Sequence, residues 1–198
     1  GVAIGAALGG RGAADAEGSV KPTTILVVTG ARALDVHGPS RAWARRVVAR
    51  AMTTPDRVGD VSLIAHGDAK GPDTWADYLA LWLHLPRVGW PLVAPGMPVV
   101  WHGAGARAAR DAERYHYDPR DPLSRNEAMV RWASDRALEG HIVRVLALTA
   151  GWSGTGGTRH TMARARHHGL CVEHHDAPDW TWPECDERNA SGTAGGGR

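Results

Sequence analysis

The sequence predicts an α/β fold on a five-stranded, mainly parallel sheet. Three observations predict it. Short continuous apolar runs rich in β-branched residues recur along the chain, as strands buried on both faces require. Segments with helical apolar spacing separate these runs, giving strand–helix–strand units. Three of the runs end in polar, glycine-bearing turns that lead towards helices.

The elements follow in order. Ile25 to Gly30 (ILVVTG) reads as a buried strand closed by glycine. Pro39 to Met52 reads as a helix, with Pro39 at its start and apolar positions at Trp43, Val47 and Ala51. Val61 to Gly67 repeats the strand-then-glycine pattern. Pro72 and Asp73 open a second helix expected to reach Leu85, with Trp75, Leu79 and Trp82 on one face. In the less regular middle, PLVAP (Pro91 to Pro95) is the expected strand and Gly103 to His116 a short helix. Ser124 reads as an N-cap with Glu127 completing a capping box, for a helix reaching Ala137. Val143 to Thr149 is another buried strand, Thr158 to His168 a helix closed by Gly169, and Leu170 to His175 the last strand.

Composition bounds the function. A chain of 198 residues with 43% hydrophobic and 22% charged residues suits one folded domain and argues against wholesale disorder. We expect that domain over 23–180, between flexible Gly/Ala-rich tails at 1–22 and 181–198. No apolar run approaches the roughly 20 residues of a membrane-spanning helix, so no membrane partner is expected. The net charge is +2 with the charges interspersed, which offers no clustered positive face for nucleic acid. Lys21 and Lys70 are the only lysines, and the arginine excess reads as a coding bias. Cys171 and Cys185 are too few for a disulfide framework. With no signal-peptide pattern at GVAIGAALGG, a cytoplasmic location is expected.

The chemistry concentrates in the turns TGAR (Thr29 to Arg32), HGDAKGPD (His66 to Asp73) and TAGWSGTGGT (Thr149 to Thr158). Right-handed crossovers put such turns on one edge of a parallel sheet, where ligands bind. Gly151, Gly154, Gly156 and Gly157 let backbone N–H groups approach an anion, Ser153, Thr155 and Thr158 add hydroxyls, and Thr158 stands at a helix start that favours phosphate. The alternative is that the glycines serve only tight turns. Neither a Walker lysine nor G-x-G-x-x-G is present, which argues against a P-loop NTPase and an ordinary dinucleotide dehydrogenase.

The motifs Thr29-Gly30-x-Arg32, His66-Gly67-x-x-x-Gly71-x-Asp73, Arg125-Asn126 and Gly154-Thr155-x-Gly157-Thr158, in that order, resemble the YspA-type branch of the SLOG superfamily over about residues 24–175. The resemblance implies a Rossmann-like three-layer sandwich with sheet order 3-2-1-4-5 and a nucleotide-type ligand. In that order TGAR and TAGWSGTGGT face each other across a crevice between the first and fourth strands. The superfamily also includes lonely-guy phosphoribohydrolases, DNA-processing protein A, and domains proposed to sense nucleotide signals. Relatives that dimerise through helices make a homo-oligomer an expectation.

The expected ligand contacts are Thr29, Gly30, Arg32, Gly67, Lys70, Gly71, Asp73, Arg125, Asn126 and Trp152 to Thr158. Arg32 and Arg125 read as phosphate clamps or as surface residues. Asn126 reads as a reader of a base edge or ribose hydroxyl, or as a brace to a loop. Trp152 reads as a stacking surface or as core. The lonely-guy enzymes follow their glycine turn with a catalytic Glu, where this chain has Arg159, His160 and Thr161. Asp73 is the best remaining carboxylate for catalysis, and otherwise a helix N-terminal acid favoured by the dipole.

Binding or sensing of a nucleotide-derived ligand is therefore the first expectation. A hydrolase cleaving an N-glycosidic or phosphate bond is the second, and DNA binding by analogy the third. His167, His168, Cys171, His174 and His175 crowd one span, but a strand points its neighbours to opposite faces, so no metal is expected. Cys171 is expected in the core. Residues 103–123 are expected to form an insertion over the crevice.

Overall fold

The computed structural model describes residues 22–36, 38–54, 60–93, 96–98, 103–151 and 156–178. Five strands, β1 (Thr24–Gly30), β2 (Val61–His66), β3 (Arg87–Gly89), β4 (Ile142–Thr149) and β5 (Cys171–Asp176), form one all-parallel sheet in the order β3-β2-β1-β4-β5. The α-helices among the described residues are α1 (Gly38–Thr53), α2 (Pro72–Trp82), α3 (Gly105–Asp111), α4 (Pro122–Leu138) and α5 (Gly157–His167). The fold is thus the expected Rossmann-like sandwich.

β1 has no polar face because both its faces are covered. Ile25 and Val27 join Trp90, Met129 and Trp132 in one core, and Leu26 and Val28 join Val48, Trp75 and Ala76 in the other. The two clusters are the interfaces of the middle layer with α4 and α5 on one side and α1 and α2 on the other. Trp90 is fully buried, with edge-on contacts to Tyr115, Tyr117 and Trp132 at centroid distances of 6.2, 5.3 and 6.5 Å. These large rings supply core volume in a chain without phenylalanine.

Several elements differ from expectation. The edge strand is Arg87–Gly89, and Pro91 to Val93 run on as irregular chain. Proline cannot donate to a ladder, whereas Trp90 N–H still reaches His66 O at 2.9 Å before the prolines begin. The N-cap of α4 is Asp121, whose carboxylate accepts from Leu123 N and Ser124 N at 2.9 and 3.2 Å, with Pro122 opening the helix. Ser124 lies inside α4, and its hydroxyl donates to His116 O while accepting from Asp118 N. Glu127 instead holds Arg131 and Arg164, the second through Arg164 Nη2 at 2.7 Å, which joins α4 to α5.

α2 stops at Trp82, which is 75% exposed, so only Trp75 and Leu79 of the expected face pack inwards. The buried stripe of α1 is Ser40, Ala44, Val48 and Met52, one residue on from the expected stripe, which flanks it. Cys171 is exposed, because it begins β5 at the sheet edge. Among the described residues no helix is long and apolar enough to cross a membrane.

Candidate functional site

The order of strands reverses between β1 and β4, and the chain leaves these neighbours towards opposite faces of the sheet. A cleft of about 390 Å³ opens there, at the carboxyl ends of the strands. Its walls come from the turn after β1, the turn before α2, the start of α4 and the start of α5.

The first wall is Thr29 to Ala33. Ala31 N–H donates to Leu148 O at 2.9 Å, carrying the β1–β4 ladder one residue beyond the strand. A 3-10 turn over Arg32–Asp35 follows, leaving Arg32 exposed at the cleft. Gly30 is required by packing: a Cβ there would lie 2.3 Å from Pro72 Cγ, at the start of α2.

The second wall holds a buried polar chain. Gly67 N–H donates to Asp73 Oδ2 at 2.9 Å, and Arg125 Nη1 donates to Gly67 O at 2.6 Å. Arg125 Nε donates to Asn126 Oδ1 at 2.9 Å, and Asn126 Nδ2 donates to Gly157 O at 3.0 Å. Asp73, Arg125 and Asn126 are all buried, at 3%, 7% and 1% exposure. Burial pushes the Asp73 carboxyl up from its ordinary value, against the attraction of Arg125 and His66. Burial likewise lowers Arg125, against the attraction of Asp73. The Asp73 Oδ1 atom is buried and completes no hydrogen bond of good geometry among the described residues, although the Ala69 backbone N–H, like that of Gly67, acts on the carboxyl and holds it down. A buried carboxylate oxygen in that condition calls for a donor.

The third wall is the start of α5, with Gly156, Gly157 and Thr158. Gly156 stands at the N-cap and brings no capping side chain, and among the described residues a Cβ on it would meet nothing within 4 Å. Its first N–H groups therefore lack intrahelical partners beside open space, an arrangement that favours an anion.

The structure thus brings Thr29, Gly30, Arg32, Asp73, Arg125, Gly156, Gly157 and Thr158 to one cleft. Lys70 is exposed and does not line it, and Gly67 and Gly71 lie buried behind the wall. Asn126 braces: its amide is committed to Arg125 and Gly157, so it does not line the cleft. Trp152, Ser153, Gly154 and Thr155 lie outside the described residues. The insertion does not close the cleft with a helix; α3 packs beside β3, where Gly89 N–H donates to Ala104 O at 3.0 Å, and Pro122 reaches the cleft wall.

Two positioning groups were not singled out from sequence. Asp176, ending β5, accepts from Thr149 Oγ1 at 2.7 Å and from Gly151 N–H at 3.0 Å, which fixes the chain leaving β4. Because Thr149 spends its proton on Asp176, it accepts from His174 Nε2 at 2.7 Å. Asp77 accepts from His66 Nε2 at 3.1 Å, while His66 Nδ1 accepts from Asp68 N–H, so the buried imidazole holds the turn after β2. A polar residue closing the last strand was the available signal for Asp176. The crowded histidines disperse, with His174 on Thr149 and His175 Nε2 on Glu173 at 2.7 Å. No family model matches this chain, and neither a curated protein nor a solved structure matches it.

Proposed function

We propose that this chain is a binding or sensing module for a nucleotide or nucleotide-derived ligand, held in the cleft between β1 and β4. The observation that carries the reading is a pair of unsatisfied groups bordering one cavity. The start of α5 presents N–H groups without intrahelical partners towards the cleft, and the buried Asp73 Oδ1 completes no hydrogen bond of good geometry among the described residues. A nucleotide supplies both needs, since its phosphate accepts and its ribose hydroxyls or base amine donate. Arg32 is placed to add a forked contact to the phosphate. A volume of about 390 Å³ is in the range of small-molecule sites. The ordered motifs that resemble the YspA-type branch of the SLOG superfamily support the same ligand class.

Calorimetry of the full chain against nucleoside monophosphates, NAD, ADP-ribose and cyclic dinucleotides tests the reading. Saturable binding of at least one, weakened at least tenfold in Arg32→Ala, is expected. A folded protein that binds none of the panel overturns it.

One observation favours a hydrolytic reading as the second. A carboxyl whose burial favours its protonated form is suited to deliver a proton to a departing base, and Asp73 is such a group. Chromatography after incubation with nucleoside monophosphates or NAD separates the readings. Released base supports hydrolysis, and an equal rate in Asp73→Asn removes Asp73 from it.

A further inference from the structure

A second cavity, of about 560 Å³, lies at the opposite edge of the sheet, where the strands begin. Its floor is apolar, made by Ile25, Leu63 and Val88 of three adjacent strands together with Trp132 of α4. Its rim is cationic: Arg107 and Arg110 come from α3, Arg136 from α4, and His141 from the residue before β4. Asp111 is the one carboxylate among its lining residues.

Two of the rim's three arginines are unspent among the described residues. Arg107 and Arg110 have no side-chain hydrogen bond or ion pair among the described residues. They stand three apart on a seven-residue helix without an acid in its first turn, a spacing at which like charges repel. Arg136 is mostly engaged: it gives Nη1 to Glu139 at 2.7 Å, hydrogen-bonds Tyr115 and lies 5.8 Å from the Trp132 ring, so at the rim it adds positive charge more than free donors. His141 Nδ1 accepts from Thr23 Oγ1 at 2.9 Å and from Thr23 N–H at 3.4 Å, which leaves Nε2 to donate.

We propose that this cavity is a second ligand site, distinct from the cleft, for a small phosphate-bearing molecule. Arginine forks on two elements converge on one space, which matches the several oxygens of a phosphate or pyrophosphate group. The anion offsets the repulsion between Arg107 and Arg110, and the apolar floor receives the uncharged body of the ligand. The inference does not rest on the ligand proposed for the cleft, since no lining residue is shared.

The test is a titration of the isotope-labelled full chain with sodium pyrophosphate at constant ionic strength, followed residue by residue by NMR. Saturable shifts are expected at the amides of Thr23, Ser62, Arg107 and Ile142. The double variant Arg107→Ala/Arg110→Ala should weaken the response at these amides at least tenfold, and Arg32→Ala should leave it unchanged. If the double variant does not fold, Arg110→Glu alone should produce the loss. Shifts confined to Gly30, Gly157 and Thr158, shifts that do not saturate, or an undiminished response in a folded α3 variant overturn the proposal.

Discussion

Asp73 and Arg125 hold one residue from opposite ends: Asp73 accepts the N–H of Gly67 and Arg125 donates to its carbonyl. The two charges thereby stay apart while sharing a buried neighbourhood, and the free carboxylate oxygen remains at the cleft wall. A Cβ on Gly67 would lie 2.9 Å from Asp73 Oδ2 and 3.0 Å from the Arg125 guanidinium carbon. Gly67→Ala should therefore cost about 1–3 kcal/mol by overpacking. Gly156→Ala, opening onto empty space, should stay within about 0.5 kcal/mol of the parent. Urea denaturation of both variants checks the contrast.

Asn126 joins the start of α4 to the start of α5. Its replacement by alanine leaves Arg125 Nε without its acceptor and removes one of two side-chain donors to Gly157 O, the other being Thr161 Oγ1 at 2.9 Å. Destabilisation of about 1–3 kcal/mol is expected. Ligand affinity in the cleft should fall with it, because Gly157 would keep only the Thr161 hydroxyl as a side-chain anchor; calorimetry reads that loss.

Acid should act on two carboxylates with opposite sign. Glu127 is held down to about 2 by hydrogen bonds from Arg164 and Arg131, below its ordinary 4.5. Its contribution is complete above the ordinary value and is lost as pH falls through the window to about 2. Glu127→Gln should therefore be less stable than the parent at neutral pH, with the gap closing across that window. Asp73 is raised, so its ionisation opposes folding, and its penalty grows as pH rises from 3.8 through the folded value. Asp73→Asn should remove that part of the slope. Denaturation midpoints from acid to neutral pH check both signs.

Trp90 and Trp82 differ in burial, at 0% and 75% exposure. Trp90→Ala should cost about 3–5 kcal/mol, since the hole opens among Tyr115, Tyr117 and Trp132. Trp82→Ala should change stability by less than about 0.5 kcal/mol. Thermal melts of the pair decide it.

What could be read from sequence follows the range of the interactions. β1 holds the continuous apolar run Ile25 to Val28, and β2 and β4 are apolar-rich segments broken only by Ser62 and Arg144 before their polar ends, so composition marks them. β3 has three residues, too short for any periodicity, and Pro91 to Val93 of the neighbouring PLVAP segment read as a strand by composition but are irregular, its last two residues lying outside the described ones. At the start of α4, Asp121 and Ser124 both satisfy a capping pattern, and Pro122 was the sign that favoured Asp121. The glycine turns pointed to the cleft because their need for space is local. Asn126 bracing Gly157, 31 positions away, and Asp176 bracing Gly151, 25 away, depend on tertiary placement that no local pattern carries.

The adjacency of β1 and β4 also orders events in time. Gly30 pairs with Leu148, yet they stand 118 positions apart in the chain. A nascent polypeptide released only through α2 has β1 with one edge open and neither the α4 nor the α5 wall of the cleft. The cavity comes into being when α4 and the chain after it dock, a slow kind of closure for contacts so distant in sequence. Anything that binds there engages only the assembled sheet, so occupancy acts as a seal on completed folding.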